Sequence, residues 1–303
     1  MPASLDCILC LARQSIEAAR FATDDPAVHE RVLRKVLAFV QEEGFTKIPP
    51  LVAQEIQRIV RRETGNDDPY AVPKRRFNAL MLDLRDSLRE RIRSSPQPME
   101  TAVRLAIAGN TIDFALRADL DERMIHEAIE VSLRQPINGS IEEFASAVSV
   151  AKNILYLLDN CGEIVCDQLL MEEILRLPDP PKIVAVVRGA AVINDATWTD
   201  AEQVGLRETV PVIDNGNDGV GTILEQCGVG FMDRFCVSDV LISKGLANYE
   251  TLIEYDDRRL WQRVCYLFKA KCVFIARYAG VEVGDLVLRQ KFIPPVAETS
   301  EIM

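Results

Sequence analysis

Three oxygen-bearing side chains at strand ends mark out a possible metal site. Asp159 and Asn160 close the apolar run 154–158, and Asp195 stands beyond a second run at 182–187. Two carboxylates and an amide suit Mg²⁺, Mn²⁺ or another divalent ion that keeps waters in its shell, rather than a closed zinc site. Such an ion polarises a phosphoryl oxygen and lowers the pKa of a bound water. Basic groups follow later strands, with Lys244 after the run 237–242 and Lys271 beyond the run 264–268. Either ammonium could neutralise a phosphate dianion as it reacts. Gly162 and Glu163 open the helix after Asp159, where free N–H groups favour an anion. The glycine-rich turn 217–222, which ends in Gly221 and Thr222, could bring backbone amides to the same ligand. Each feature also has a plainer use. Taken alone, Asp159 reads first as a helix cap, a single lysine as a solvated charge, and the turn as only a turn.

The same residues exclude other chemistries. No Gly-Lys-Ser or Gly-Lys-Thr follows the turn, so it is no Walker loop, and its glycines are not a dinucleotide fingerprint behind a first strand. A haloacid-type phosphatase would want a second acid where Cys161 stands. The two histidines, His29 and His126, sit in charged helical contexts, which leaves acid–base work to carboxylates. Cys7 and Cys10 could supply half of a zinc site or a redox pair; with the remaining ligands hard to find, packed thiols are the expected use.

The elements that must position these groups fall into two blocks. A chain of 303 residues with 48% hydrophobic content can bury a large core, here divided into a helical subdomain at 1–150 and an α/β domain at 151–303. Residues 7–21, 27–43, 49–63, 74–94 and 99–108 repeat apolar side chains at helical spacing. From 151 onward, short apolar runs at 154–158, 182–187, 209–213, 237–242 and 264–268 alternate with helical stretches. The first run has no polar alternation, as in a strand covered on both faces, and the stretch after Asp159 reads as an amphipathic helix. The expected fold class is α/β: a doubly wound, mostly parallel, Rossmann-like sheet with an N-terminal all-helical subdomain and its chemistry at the carboxyl ends of the strands.

A formal charge of −11 argues against a nonspecific nucleic-acid binder. No apolar run reaches membrane-spanning length and the N-terminus lacks a signal-peptide pattern, so no membrane association is expected and the chain reads as cytoplasmic. Eight cysteines are too sparse for a disulfide scaffold, and Cys166, Cys265 and Cys272 lie in apolar segments as reduced core thiols would. Oligomeric state is left open.

The combination resembles the metal-dependent damage-control phosphatases, long filed as domain of unknown function 89, over nearly the whole chain. The resemblance rests on Cys7-x-x-Cys10 with Gln14, Asp68-Pro69-Tyr70, Gly109-Asn110 with Asp113, and Leu158-Asp159-Asn160-Cys161-Gly162-Glu163. It continues through Asn194-Asp195-Ala196, Gly221-Thr222, Ser243-Lys244-Gly245 with Asn248, and Lys269-Ala270-Lys271-Cys272. The leading cysteine pair resembles the stand-alone prokaryotic branch. The resemblance implies one divalent ion (Mn, Co, Ni or Mg) on Asp159, Asn160 and Asp195, and a late lysine on the phosphate, aligned as Lys271 with Lys269 beside it. Asn110 and Asp113 would approach the same site, joining Gly162, Glu163, Gly221, Thr222 and Asn248 on the substrate side, with Lys244 among the catalytic groups. The implied reaction is hydrolysis of small phosphorylated metabolites, such as damaged or side-product sugar phosphates, by either an activated water or a carboxylate. A doubly wound sheet also suits an S-adenosylmethionine-dependent carboxyl methyltransferase, and a non-catalytic metal or phosphate binder is the third expectation.

Overall fold

The computed structural model describes residues 3–111, 122–255 and 262–293. Its first three helices, α1 (Leu5–Ala22), α2 (Pro26–Phe39) and α3 (Pro49–Thr64), start and stop where local chemistry dictates. Ser4 and Asp25 cap α1 and α2 with side-chain oxygens, proline opens α2 and α3, and Gly65 ends α3 in the left-handed conformation. The stretch expected to be helical over 27–43 does not stay α throughout. It closes in a π turn, Val40–Gly44. These helices bury Val32, Val36, Val52 and Ile56 in a cluster of their own, which also takes in Tyr70, Val192 and Val220.

The remaining helices flank a sheet. They are α4 (Ala71–Ser94), α5 (Pro98–Thr111), α6 (Glu122–Arg134), α7 (Ile141–Val150), α8 (Glu163–Ile174), α9 (Trp198–Gln203), α10 (Val229–Val237), α11 (Gly245–Leu252) and α12 (Val273–Ala279). The strands are β1 (Ile137–Asn138), β2 (Asn153–Leu157), β3 (Lys182–Val187), β4 (Val212–Asp214), β5 (Val240–Lys244), β6 (Gln262–Lys269) and β7 (Leu286–Ile293). Their order is β1-β7-β6-β5-β2-β3-β4, with every pair parallel except β6 and β7. Side chains alternate between the two faces, as a pleated strand requires. Ile154 and Tyr156 join the core beneath α4, α5 and α8, while Leu155 and Leu157 join Phe231, Phe235 and Tyr249 on the other face. The sheet is therefore doubly wound, as expected.

The interior beneath α4–α7 is continuous with that of the sheet. Two features depart from the sequence expectation. β1 falls within the block expected to be helical, and its two residues are too few to show a period. α8 is buried on nearly all sides rather than amphipathic, because its polar residues Glu163, Asp167 and Gln168 find partners inside the protein.

β2 lies between β3 and β5, and the chain moves outward from it in both directions, through β3 and β4 on one side and through β5 and β6 on the other. Such a reversal leaves a crevice at the carboxyl ends of the central strands, where ligands of α/β sheets bind. The loop leaving β2 enters α8 through Gly162, whose φ is 69° and whose added Cβ would overlap the ring of Phe77 on α4. Gly162→Ala should cost on the order of 2–4 kcal/mol from strain and overlap, read as a lower midpoint in urea unfolding; an unchanged midpoint would contradict this packing.

Candidate active site

Asp159 and Asn160 leave β2 and Asp195 leaves β3, and the two exits are joined backbone to backbone. Ala196 N donates to Asp159 O at 2.7 Å, Cys161 N donates to Asn194 O at 2.9 Å, and Asn160 and Asp195 form an antiparallel bridge. This short zip brings the three expected ligands together. Asn160 is also oriented. Its Nδ2 donates to Asp159 Oδ2 at 2.7 Å and to Glu163 Oε2 at 3.2 Å, which leaves the amide oxygen free of hydrogen bonds among the described residues. Gly245, at the start of α11, completes the wall; any Cβ there would overlap the Asp159 carboxylate.

Both acids are more than nine-tenths buried. Burial pushes the Asp159 carboxyl well above the usual range, Glu163 and Asp195 push it further, and Arg188 and Lys271 oppose them. Burial raises Asp195 as well, against the pull of Arg188. A crowded pair of carboxylates with an amide oxygen beside it is the donor set of a hard divalent cation, and such an ion would relieve the repulsion that raises both acids. Among the described residues no group of three or more His, Cys, Asp or Glu side chains is placed to hold a metal, so the amide of Asn160 is needed to complete a ligand set.

Several residues expected to face the ligand do other work. Lys244 was expected to neutralise phosphate, but its ammonium is fully buried. It donates to Ala106 O at 2.8 Å, to Glu163 Oε1 at 2.6 Å and to Asp167 Oδ1. The acids hold Lys244 charged, raising its pKa against burial. Glu163 is correspondingly a brace that joins Lys244 to Asn160. Burial lifts the Asp167 carboxyl to about 7, and Tyr156 donates a hydrogen bond to it at 2.7 Å. The amide of Gly162 is committed to Asn78 Oδ1 at 2.6 Å, and that of Glu163 to Cys161 O. These two amides at the start of α8 therefore do not meet an anion.

Asn248 uses its whole amide internally. It donates to Leu158 O and Lys244 O, and accepts from Thr222 Oγ1 at 2.8 Å and Arg188 Nη1 at 3.3 Å. Thr222 N is likewise committed, to Thr251 Oγ1 at 3.1 Å. Gly221 has a φ of 84° and packs against the backbone of Ala247, so the glycine serves a close approach of two chains. Asp218 in the same turn is gripped by Arg58, Arg61 and Gln54 of α3. Burial disfavours its charged form, yet these donors hold its carboxyl below the usual range. The turn is a docking point for α3 before it is a cradle.

Lys271 follows β6 and is half-buried, close enough to Asp159 to pull its carboxyl down. Asn110 lies on α5, with its side chain outside the described residues, and Asp113 lies wholly outside them. The cysteines divide. Cys161, Cys166 and Cys265 are buried thiols, whereas Cys10 and Cys272 are exposed and Cys7 is half-buried, so the expectation of packed thiols fails at Cys10 and Cys272.

Sequence reasoning passed over Arg188, Lys74, Asn78 and Asp200. Arg188 directly follows the apolar run 182–187, and Lys74 opens the helical stretch 74–94. Lys74 is buried, 2.7 Å from Asp200, with Asp68 and Thr197 beside it. Burial opposes its charge, but Asp200 and Asp68 raise its pKa. Asn78 bridges Asp200 at 2.9 Å to Gly162, so α4 braces the exits of both β2 and β3. The available signal was a lysine and an asparagine on one stripe with Phe77 and Met81, polar groups placed where apolar ones were due.

The chain matches the family described as damage-control phosphatase ARMT1-like domain over residues 3–287. It is 33% identical over 297 residues to damage-control phosphatase PH1575 of Pyrococcus horikoshii, covering 96% of this chain and 99% of that one. A damage-control phosphatase of Archaeoglobus fulgidus is 30% identical over 292 residues, 93% of this chain and 97% of the relative. The crystal structure of the Pyrococcus protein, titled a DUF89 family protein, superposes with a TM-score of 0.86 at 31% identity, covering 96% of this chain and 99% of that chain.

Removing the cation of a buried cluster leaves its acids uncompensated. Lys244→Met should destabilise the fold by about 3–5 kcal/mol, measured by denaturant unfolding, and adding Glu163→Gln and Asp167→Asn should restore part of the loss. A single variant as stable as the wild type would contradict the brace.

Proposed function

This chain belongs to the damage-control phosphatase ARMT1-like family, and from that premise we propose that it is a divalent-metal-dependent phosphatase acting on small phosphomonoesters. The supporting observation is the zip between the exits of β2 and β3, which gathers Asp159, Asn160 and Asp195 beside Lys271. When bound, a Mg²⁺, Mn²⁺, Co²⁺ or Ni²⁺ ion supplies Lewis acidity toward a phosphoryl oxygen. Asp159 and Asp195 offer it negative charge, and Asn160 offers an amide oxygen already turned by the hydrogen bonds of its Nδ2. Lys271 neutralises the phosphoryl group from the end of β6. Leu158, Cys161 and Ala196, the sequence neighbours of these three side chains, are buried. The substrates in this reading are small phosphorylated metabolites such as sugar phosphates.

The methyltransferase alternative rests on the doubly wound sheet alone. Asp159→Ala and Asp195→Ala should each lower Mn²⁺-dependent phosphate release from p-nitrophenyl phosphate by about a hundredfold or more. Both should also lose the thermal stabilisation given by Mn²⁺ while keeping the wild-type circular dichroism spectrum. Turnover at the wild-type rate in either variant would remove the metal assignment. Stabilisation by S-adenosylmethionine with none by Mn²⁺ would favour the methyltransferase, and Mn²⁺ binding without turnover of any phosphomonoester would leave only a binding protein.

Because both carboxyls titrate above the usual range, protons compete with the ion at a higher pH than for exposed acids. Mn²⁺ affinity, measured by titration calorimetry, should therefore weaken at a pH where exposed carboxylates are still ionised. Affinity that falls only where exposed carboxylates protonate would contradict the burial argument.

A further inference from the structure

One charged group at the centre has no role in the chemistry above. Arg188, the first residue past β3, is 2% exposed and lies between the two acids. Its Nε donates to Asp195 Oδ2 at 2.7 Å, and its Nη1 donates to Asn248 Oδ1 at 3.3 Å. Asn248 is itself fixed by Leu158, Lys244 and Thr222, so the plane of the guanidinium cannot turn. The remaining nitrogen, Nη2, is buried and has no hydrogen-bond partner among the described residues. Asp159 Oδ1 stands 3.9 Å from it, too far for a hydrogen bond.

A buried, unsatisfied N–H of a charged group is costly, and native proteins keep one only for a reason. The reason is chemical here. A guanidinium presents a rigid fork that matches the oxygens of a phosphate, and its charge cannot be removed by deprotonation. We propose that Arg188 is a catalytic residue, whose Nη2 donates to a phosphoryl oxygen of the substrate while its Nε holds Asp195 in place for the metal. The proposal rests on the phosphatase reading.

A phosphomonoester dianion offers three free oxygens and two charges to this fork, whereas a diester offers two free oxygens and one charge, so the Arg188 contact favours monoesters over diesters. The charge developing on the equatorial oxygens during transfer meets a donor already in position, so no reorganisation is needed as the bond breaks.

The test compares wild type, Arg188→Ala and Arg188→Lys, each loaded with saturating Mn²⁺. Binding of inorganic phosphate is read by titration calorimetry and binding of Mn²⁺ is read separately. Phosphate affinity should fall about 10- to 100-fold in Arg188→Ala, and Arg188→Lys, which keeps the charge but loses the fork, should lie between. KM for p-nitrophenyl phosphate should rise and the preference for it over bis(p-nitrophenyl) phosphate should shrink. Phosphate affinity and KM equal to wild type at saturating Mn²⁺, even with weakened Mn²⁺ binding, would overturn the proposal and leave Arg188 only a support for Asp195. Should the wild type bind phosphate in an Arg188-dependent way yet hydrolyse no monoester, the phosphatase reading fails and the Arg188 contact stands. If neither variant folds, crystals of the wild type grown with Mn²⁺ and phosphate decide: a phosphate oxygen within hydrogen-bond distance of Nη2 supports the proposal, and a phosphate elsewhere overturns it.

Discussion

Two carboxylates held together away from bulk water form the constraint on which the rest of the centre depends. Asp159 and Asp195 meet because the exits of neighbouring strands pair through their backbones, a geometry set by the parallel register of β2 and β3. Like charges in a low-dielectric setting repel strongly, and the pair persists only with compensating cations. Arg188 touches one acid and lies beside the other, and Lys271 adds a second positive charge. Gly245 belongs to the same logic, since only a missing side chain lets the next strand exit approach the Asp159 carboxylate.

Around this pair the protein uses buried charge for positioning. Lys244 ties β5 to α8 and to the carbonyl of Ala106 on α5, and Lys74 ties α4 to α9. Buried ion pairs are weak contributors to net stability, yet removing half of one is severe, so they fix one arrangement of the elements they join. Both end at the ligand loops. The Lys244 cluster reaches Asn160 through Glu163, and the Lys74 cluster reaches Gly162 through Asn78 and Asp200. Asn248 adds a third link, connecting Thr222, Arg188 and the end of β2. Asp159, Asn160 and Asp195 are thereby held by residues whose own positions are determined.

Much of this was legible in the sequence. The run 182–187 is β3 to the residue, and the unbroken apolar run before Asp159 falls largely in β2, a strand buried on both faces, as such a run suits. The three metal-site candidates sit together as their strand-end positions suggested. What the sequence concealed was partnership. Lys244, Glu163 and Asn248 have the residue types of a phosphate site, and only the three-dimensional packing of α5, α8 and β5 reveals that their polar atoms satisfy one another. The acids of α8 made it look amphipathic for the same reason: a polar residue paired in the interior is indistinguishable, in one dimension, from one facing water. Arg188 was missed because a lone arginine after a strand carries no periodic signal, and its importance comes from Asp195 and Asn248 arriving from distant segments.

The most direct measurement is anomalous diffraction from crystals of the wild-type protein soaked in Mn²⁺. The account predicts a single strong peak bounded by carboxylate oxygens of Asp159 and Asp195 and by Oδ1 of Asn160, each at roughly the 2.0–2.3 Å of a hard-cation contact. A peak elsewhere, beside Cys7 and Cys10 for instance, with none between the two acids, would contradict it.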